Sequence, residues 1–422
     1  MITAAIILFY FLIPILILYL CHKSKTMKKI GAIIIAYVTG LLLGNVGIFP
    51  RGSDAFKSLL AGKTYLPGSE AMELYQQGVI KHGDLILNHI ASTQDLIMTI
   101  VIPISIPLLL FSLDLRNSFK TLKRGIFSTI IAIFSLVTCI TIGHLLFRNS
   151  IPESWKISGM MMGLYTGGTP NLAALATALN VKPNIFILTN TYDLVIGIIL
   201  LFFFITVAQR LLNLFLPHFK HSEKHKKPKE IIRESEAPEN LLENFNKKNI
   251  LPLAGAFGLS LLIFAIGGGI SMLLPSEYQM VTVILTITTL GIATGLIRRI
   301  NRIGKTFELG MYFILVFSLV VSSMADLRTI FQIELFDLFL YVLLAVIGSM
   351  VVHIILSAIF RIDTDTTIIT ITALSTSPPF VPVVAGALKN KEIIVMGITI
   401  GVFGYAIGNY LGIFFAYLLK GL

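Results

Sequence analysis

The sequence is poor in charged residues, which make up only 13% of its 422 residues. A soluble domain carries about 25%. Hydrophobic residues make up 55% of the chain, and they occur in runs of roughly twenty, the length of a helix that crosses a bilayer. Low charge and long apolar runs exclude an ordinary soluble domain and predict an all-α, polytopic membrane protein.

Cysteine is scarce as well. The two cysteines, Cys21 and Cys139, stand far apart and outside any Cys/His cluster, which excludes a disulfide framework and a zinc signature. A phosphate-binding loop and a Gly-x-Ser-x-Gly elbow are also missing from the sequence. With no nucleophile–base pair indicated, we predict that the protein is not an enzyme and uses no cofactor. The sequence does not say whether it binds a metal.

The net charge of +11 comes from short basic clusters between the apolar runs. The clusters lie at 23–29, 120–124 and 298–305. An excess of Lys and Arg is typical of cytoplasmic loops, so the charge indicates a lipid bilayer as partner and argues against nucleic acid. The first run is followed by its positive charges and lacks a small-residue cleavage site, which predicts a retained helix in place of a signal peptide. We therefore expect a multi-pass protein of the cell (inner) membrane.

Twelve apolar runs are long enough to be candidate membrane helices. They lie near 2–21, 30–48, 92–112, 125–147, 157–180, 184–212, 250–274, 279–297, 308–325, 336–359, 365–388 and 392–420. Between the second and third runs, 49–91 is predicted to be an extramembrane loop with a short amphipathic helix. Counting crossings and counting lysines place the charged segment 217–249 on opposite sides, so we predict eleven to thirteen helices.

The two halves of the chain resemble each other. Asp114-Leu115-Arg116 pairs with Asp326-Leu327-Arg328, His144 with His353, and Pro170 with Pro379, at offsets of 212, 209 and 209 residues. Three matches in order at a nearly constant offset indicate internal duplication. We predict a first membrane repeat at 1–216, a linker at 217–249 and a second repeat at 250–422. Inverted repeats are favoured, and parallel repeats remain an alternative while the helix count is open.

The fifth and eleventh runs are each interrupted by helix-breaking residues. The first interruption is Thr166-Gly167-Gly168-Thr169-Pro170-Asn171, and the second is Ser375-Thr376-Ser377-Pro378-Pro379. Proline removes a backbone hydrogen bond, and in a bilayer the freed groups need an internal partner. Paired interrupted helices at equivalent positions point to a transporter's central site. The alternative is that both breaks only kink helices for packing.

Asp193 is the acid placed most deeply in an apolar run. An acid inside a membrane segment is costly and is by default a functional candidate. Asn190, Thr191 and Asn409 are polar neighbours in the predicted site, which could bind a coupling cation. The alternative is an interfacial position for Asp193. Gly404, Gly408 and Gly412 repeat every four residues, and this pattern favours close helix packing over a binding role.

Three segments of the sequence resemble a known family. They are 163–174, 404–412 and, more weakly, 104–111, and they are similar to motifs of the YjcL-like bacterial membrane family, domain of unknown function 819. That family is in turn similar to the cation/proton antiporter and bile-acid symporter group. The resemblance implies inverted repeats, a panel domain, a core domain and two discontinuous crossing helices. This chain differs from the antiporters in two ways: its second break is not glycine-rich, and it has a single acid after the first crossing.

We therefore predict an ion-coupled secondary transporter that moves an unidentified small solute by alternating access. Na⁺ or H⁺ would be the coupling ion, held near Asp193. The alternative is an uncoupled channel or facilitator lined by the same residues. A homodimer is one of the assemblies compatible with the sequence.

Overall fold

A computed structural model of the chain describes residues 2–24, 27, 31–47, 49–50, 52–60, 65–113, 125–219, 250–324, 336–376, 380–390 and 392–422. Within these ranges the protein is all-helical, as predicted, and contains no β-strand. Parts of the predicted features fall outside them: most of the 217–249 linker, Asp114–Arg116, Asp326–Arg328, and Ser377 to Pro379 of the second interruption.

The helices are numbered here in chain order. They are α1 Ile2–Lys23, α2 Ala32–Asn45, α3 Asp54–Leu60, α4 Gly68–Gln76, α5 His82–Phe111, α6 Ile126–Phe147, α7 Ser154–Ala178, α8 Pro183–Thr206, α9 Ala208–Leu212, α10 Ile250–Ser271, α11 Ser276–Gly295, α12 Arg298–Asn301, α13 Thr306–Ser323, α14 Phe336–Leu343, α15 Ser349–Ile359, α16 Thr364–Ile371, α17 Val381–Ala387 and α18 Ile393–Lys420. A π-helical turn, Leu344–Gly348, joins α14 to α15, and a second, Thr372–Thr376, follows α16.

Nine helical segments of the described chain are long and apolar enough to cross a membrane. They begin at Thr3, His82, Ile126, Pro183, Ile250, Tyr278, Thr306, Phe336 and Ile393. The other three predicted runs also contain helices in their described parts: the second has α2, the fifth has α7, and the eleventh has α16 and α17. α2 is short, and the fifth and eleventh runs carry the polar interruptions, so hydropathy alone does not select them. The protein is a polytopic membrane protein.

The chain forms two compact units. Unit 1 contains residues 2–102 and 311–324, and unit 2 contains 103–219, 250–310 and 336–422. Each unit therefore combines segments from both halves of the sequence. The predicted repeat boundaries concern internal similarity, which this division does not test, and the two repeats stay a prediction.

Side-chain hydrogen bonds connect three helices in the interior of unit 1. The Gln94 amide donates to the Tyr10 hydroxyl at 2.6 Å and to the Ser323 hydroxyl at 3.0 Å, and these two hydroxyls lie 2.7 Å apart. All three side chains are buried. The Gln94 amide nitrogen and both hydroxyls therefore have partners inside the unit, as burial in an apolar medium requires.

The segment predicted as a loop, 49–91, contains more structure than the sequence indicated. The short helices α3 and α4 enclose a small core of Phe56, Leu66, Ala71 and Ile80. The Asp84 carboxylate accepts from the Ser53 and Lys81 backbone amides at 2.7 and 2.9 Å. These contacts start α5 at His82, ten residues before the predicted apolar run, because an acid in the first turn satisfies free N–H groups.

Unit 2 is built around α7 and α18. Nearly every residue of α7 is buried, and the two helices pack along their length. α6 packs on α7 and on α15, while α10 and α11 form a helical hairpin. Cys21 and Cys139, the two cysteines of the chain, are both buried.

A glycine contact in unit 1 can be tested by substitution. A Cβ placed on Gly44 of α2 would overlap the backbone carbonyl of Ser323, which cannot rotate away. We expect Gly44→Ala to destabilise the protein by about 1–3 kcal/mol, as overpacking does, and to lower the melting temperature in detergent. Gly258→Ala is the matched control, because nothing lies within 4 Å of its new methyl group. Equal melting temperatures for both variants would contradict this packing.

Candidate functional site

The backbone of α7 leaves helical geometry at one residue. Gly168 has φ 73° and ψ −167°, a region that essentially only glycine occupies. Pro170 follows two residues later and donates no hydrogen bond. Gly168, Pro170 and Asn171 are all buried, so the first interruption predicted from the sequence is a real break in a helix that lies inside the protein.

Glycines of α18 form the surface against which the interrupted part of α7 packs. A Cβ on Gly404 would overlap the Thr166 carbonyl oxygen, and one on Gly408 would overlap the Asn171 amide. On the far side of the break, a Cβ on Gly412 would overlap Leu175. The predicted glycine stripe is therefore a packing surface, and its partner is the interrupted helix.

Two side chains at the break bond to nearby backbone carbonyls. The Thr166 hydroxyl donates to the Met162 carbonyl at 2.8 Å. The Asn171 amide donates across the helix pair to the Tyr405 carbonyl at 3.3 Å and fills the space in which a Cβ of Gly167 would lie. Thr169 is half-buried, while its neighbours in the motif are buried.

The second interruption packs on the same region. The π-helical turn Thr372–Thr376 contacts α7, α8 and α18, and Leu374 of this turn lies beside Gly404, as Thr166 does. The Thr376 hydroxyl donates to the Thr372 carbonyl at 2.8 Å. The helical path thus changes pitch before the chain enters Ser377, Pro378 and Pro379, which lie outside the described residues.

Asp193 lies near the middle of α8, ten residues after its first residue Pro183. The side chain is half-buried, and its carboxylate interacts with the buried Tyr165 hydroxyl of α7. The contact lacks the short, well-aligned geometry of a hydrogen bond, so the hydroxyl has no such partner among the described residues. An acid and an unbonded hydroxyl therefore meet one turn before the Gly168 break.

The other predicted residues of α8 and α18 divide into two groups. Asn190 is buried one turn before Asp193, whereas Thr191 is exposed on another face of α8. Asn409 is buried in α18 and donates to the Thr288 hydroxyl of α11 at 3.1 Å, and its own carbonyl oxygen has no hydrogen-bond partner within the described part of the chain. Asn409 and Asn171 line the same small cavity.

Two small cavities flank the break in α7. The first, the Tyr165–His353 cavity, is lined by Ala132, Leu136, Tyr165, Ser349, Met350, His353, Ile371, Leu374 and Ser375. The second, the Asn171–Asn409 cavity, is lined by Ile106, Leu109, Leu110, Leu113, Pro170, Asn171, Phe307, Tyr405 and Asn409. Residues before Gly168 thus line one cavity, and residues after it line the other.

Tyr165 and His353, the titratable residues of the Tyr165–His353 cavity, were not in the predicted site. Tyr165 directly precedes the interruption in the sequence, and its place in a Gly-rich motif could have drawn attention to it. His353 stands in an apolar run, where a histidine is more often bonded at an interface, and its Nε2 does lie 3.2 Å from the Ser128 hydroxyl. Only the folded chain shows that it shares a cavity with Tyr165. Among the described residues, no three His, Cys, Asp or Glu side chains cluster as metal ligands.

The fold and the site define a polytopic membrane protein with a buried helix break in α7 and an acid, Asp193, within the candidate membrane helix α8. The chain belongs to the DUF819 family, described as protein of unknown function, whose pattern matches residues 76–422. The chain is similar to the uncharacterized membrane protein YjcL of Bacillus subtilis (strain 168), with 26% identity over 332 residues. The aligned region covers 76% of this chain and 82% of YjcL. The predicted family is confirmed.

The non-helical backbone at Gly168 can be tested through the stability of an alanine variant. Alanine at this position would hold φ 73° and ψ −167° at a cost of about 1–3 kcal/mol, or α7 would have to straighten. We expect Gly168→Ala to lower the melting temperature in detergent. Gly197→Ala in α8 is the control, since its methyl group meets open space. A Gly168→Ala variant as stable as this control would contradict the break.

Proposed function

We propose that this protein is a secondary transporter that couples an ion gradient to the movement of a small solute by alternating access. One observation carries the proposal: a buried helix break at Gly168 lies one turn from an unbonded Tyr165 hydroxyl and the Asp193 carboxylate. Polar groups in a membrane interior are costly and persist where they bind something. Interrupted helices near the middle of the membrane form the binding sites of many transporters.

The ion site would be centred on Asp193. Its carboxylate and the Tyr165 hydroxyl offer oxygen atoms, and the end of the first half of α7 adds carbonyl groups such as that of Thr166. A helix C-terminal end carries partial negative charge, which attracts a cation. Na⁺ and H⁺ are the two candidates that fit one carboxylate.

The solute site would be the Asn171–Asn409 cavity. Its walls are mainly apolar, and its polar side chains are Asn171, Asn409 and Tyr405. The carbonyl oxygen of Asn409 has no hydrogen-bond partner among the described residues. Apolar walls with a few placed polar groups are typical of small-molecule sites. Such a site favours a small solute with a hydrogen-bond donor, and its position after the break lets movement of α7 affect both cavities.

The wider architecture follows from the family resemblance. We infer two inverted repeats, with the interruptions in α7 and after α16 forming discontinuous helices that cross. Their shared contact with Gly404 supports this arrangement. The segments from both halves of the sequence in each compact unit suit a panel and a core domain. The inner cell membrane is the proposed location.

The coupling ion can be tested without knowing the solute. An ion that binds only the folded protein stabilises it, by about 2.7 kcal/mol at 100 times its dissociation constant. We expect Na⁺ in place of choline, or a change of pH, to shift the melting temperature of the purified protein. Asp193→Asn removes the charge that holds the ion, so this variant should lose the shift.

Asp337→Asn is the matched control, because Asp337 is a half-buried acid at the start of another membrane helix. It should keep the wild-type response. If wild type responds to neither ion, or if Asp193→Asn responds as wild type does, ion coupling at Asp193 is wrong. The uncoupled facilitator would then be the better account.

A further inference from the structure

Two buried polar atoms belong to residues that line the Tyr165–His353 cavity. The Tyr165 hydroxyl and the His353 Nδ1 make no hydrogen bond within the described chain, and their side chains are only 2% and 1% exposed. An unsatisfied buried polar group costs about 1–3 kcal/mol. The cavity has room for about one water molecule. A water that contacts both atoms would satisfy them together.

His353 has one hydrogen-bond partner that can fix its tautomer. Its Nε2 lies 3.2 Å from the Ser128 hydroxyl of α6. If Nε2 carries the hydrogen and donates to Ser128, Nδ1 presents a free lone pair. The packed elements offer Ser128 from α6, Ser349 from α15 itself, Tyr165 from α7 and Ser375 from the π-helical turn. None of the residues lining the cavity carries a charge, and the nearest acid on this path is Asp193, through Tyr165.

We propose that the Tyr165–His353 cavity is a proton-transfer site and that the coupling ion is H⁺. The proposal rests on the proposed transport function. A hydronium ion in the cavity gives its proton to Nδ1 of His353, which leaves water and an imidazolium. The imidazolium passes the proton through that water to the Tyr165 hydroxyl, whose own proton moves to the Asp193 carboxylate. The products are neutral His353, intact Tyr165 and a protonated Asp193.

The chemistry of the groups favours H⁺ over Na⁺. An imidazole nitrogen with a free lone pair accepts a proton and can pass it on, whereas hard cations favour oxygen ligands. A hydroxyl between the histidine and the acid can accept one proton while it releases another. Asp193 protonated in this way is neutral, which lowers the cost of moving it through a low-dielectric region.

The test is a pH jump on proteoliposomes adsorbed to a solid-supported membrane, which records charge displacement without a solute. Wild type should give a transient after a pH jump at constant Na⁺ and none after a Na⁺ jump at constant pH. His353→Gln and Tyr165→Phe should each slow the transient by about 100-fold, the scale of a lost acid–base group. Tyr165→Phe keeps the packed ring and loses only the unbonded hydroxyl, so it reports on the relay even if His353→Gln folds poorly.

His144→Gln is the control, because His144 is the buried histidine at the equivalent place in the other half and bonds Ser154 at 3.0 Å, away from this cavity. It should behave as wild type. Wild-type transients in both His353→Gln and Tyr165→Phe would overturn the relay. A Na⁺ transient that needs Asp193 would overturn H⁺ coupling and leave the transporter standing, whereas no ion response of any kind would remove the proposed function itself.

Discussion

The structure of unit 2 depends on one constraint, the need to place a non-helical backbone inside a membrane protein. At Gly168 the chain adopts a conformation that essentially only glycine can adopt, so backbone N–H and C=O groups lose their helical hydrogen bonds. The bilayer interior holds no water to bond these groups. The solution is close packing against α18. The Thr166 carbonyl packs against Gly404 and the Asn171 side chain against Gly408, where any larger residue would overlap them. The Asn171 amide also donates a hydrogen bond to the Tyr405 carbonyl at 3.3 Å.

The break also separates two chemical environments. Before Gly168, α7 presents Tyr165 to Asp193 and to the cavity that contains His353. After it, Pro170 and Asn171 line an apolar cavity with Asn409. A single movement of the interrupted helix would alter both, and this gives a physical route by which occupation of an ion site could affect a solute site. The rigidity of closely packed interiors favours such discrete shifts over gradual deformation.

Much of this could be predicted from the sequence because it depends on local residue types. Long apolar runs specify membrane helices, and Gly168 with Pro170 specifies a break. The mid-helix position of Asp193 follows from the length of the run around it. The pairing of α7 with the glycines of α18, and of Tyr165 with His353, depends on tertiary contacts between residues nearly 200 or more positions apart, and no local pattern encodes them. That Asn409 lines a cavity with Asn171 is likewise a tertiary contact that its polarity alone did not predict.

Transport by alternating access requires the break in α7 to line a site that opens to water on each side of the membrane in turn. The most direct measurement is the labelling of Thr169→Cys, at the half-buried position of the motif, by a charged, membrane-impermeant thiol reagent added from each side. Cys21 and Cys139 would first be replaced by alanine, and Ile198→Cys, which is 62% exposed on the apolar surface of α8, serves as the control. We expect Thr169→Cys to be labelled from both sides, in proportions that change with the ion gradient. We expect no labelling of Ile198→Cys. Failure to label it from either side would contradict a water-accessible site at the break.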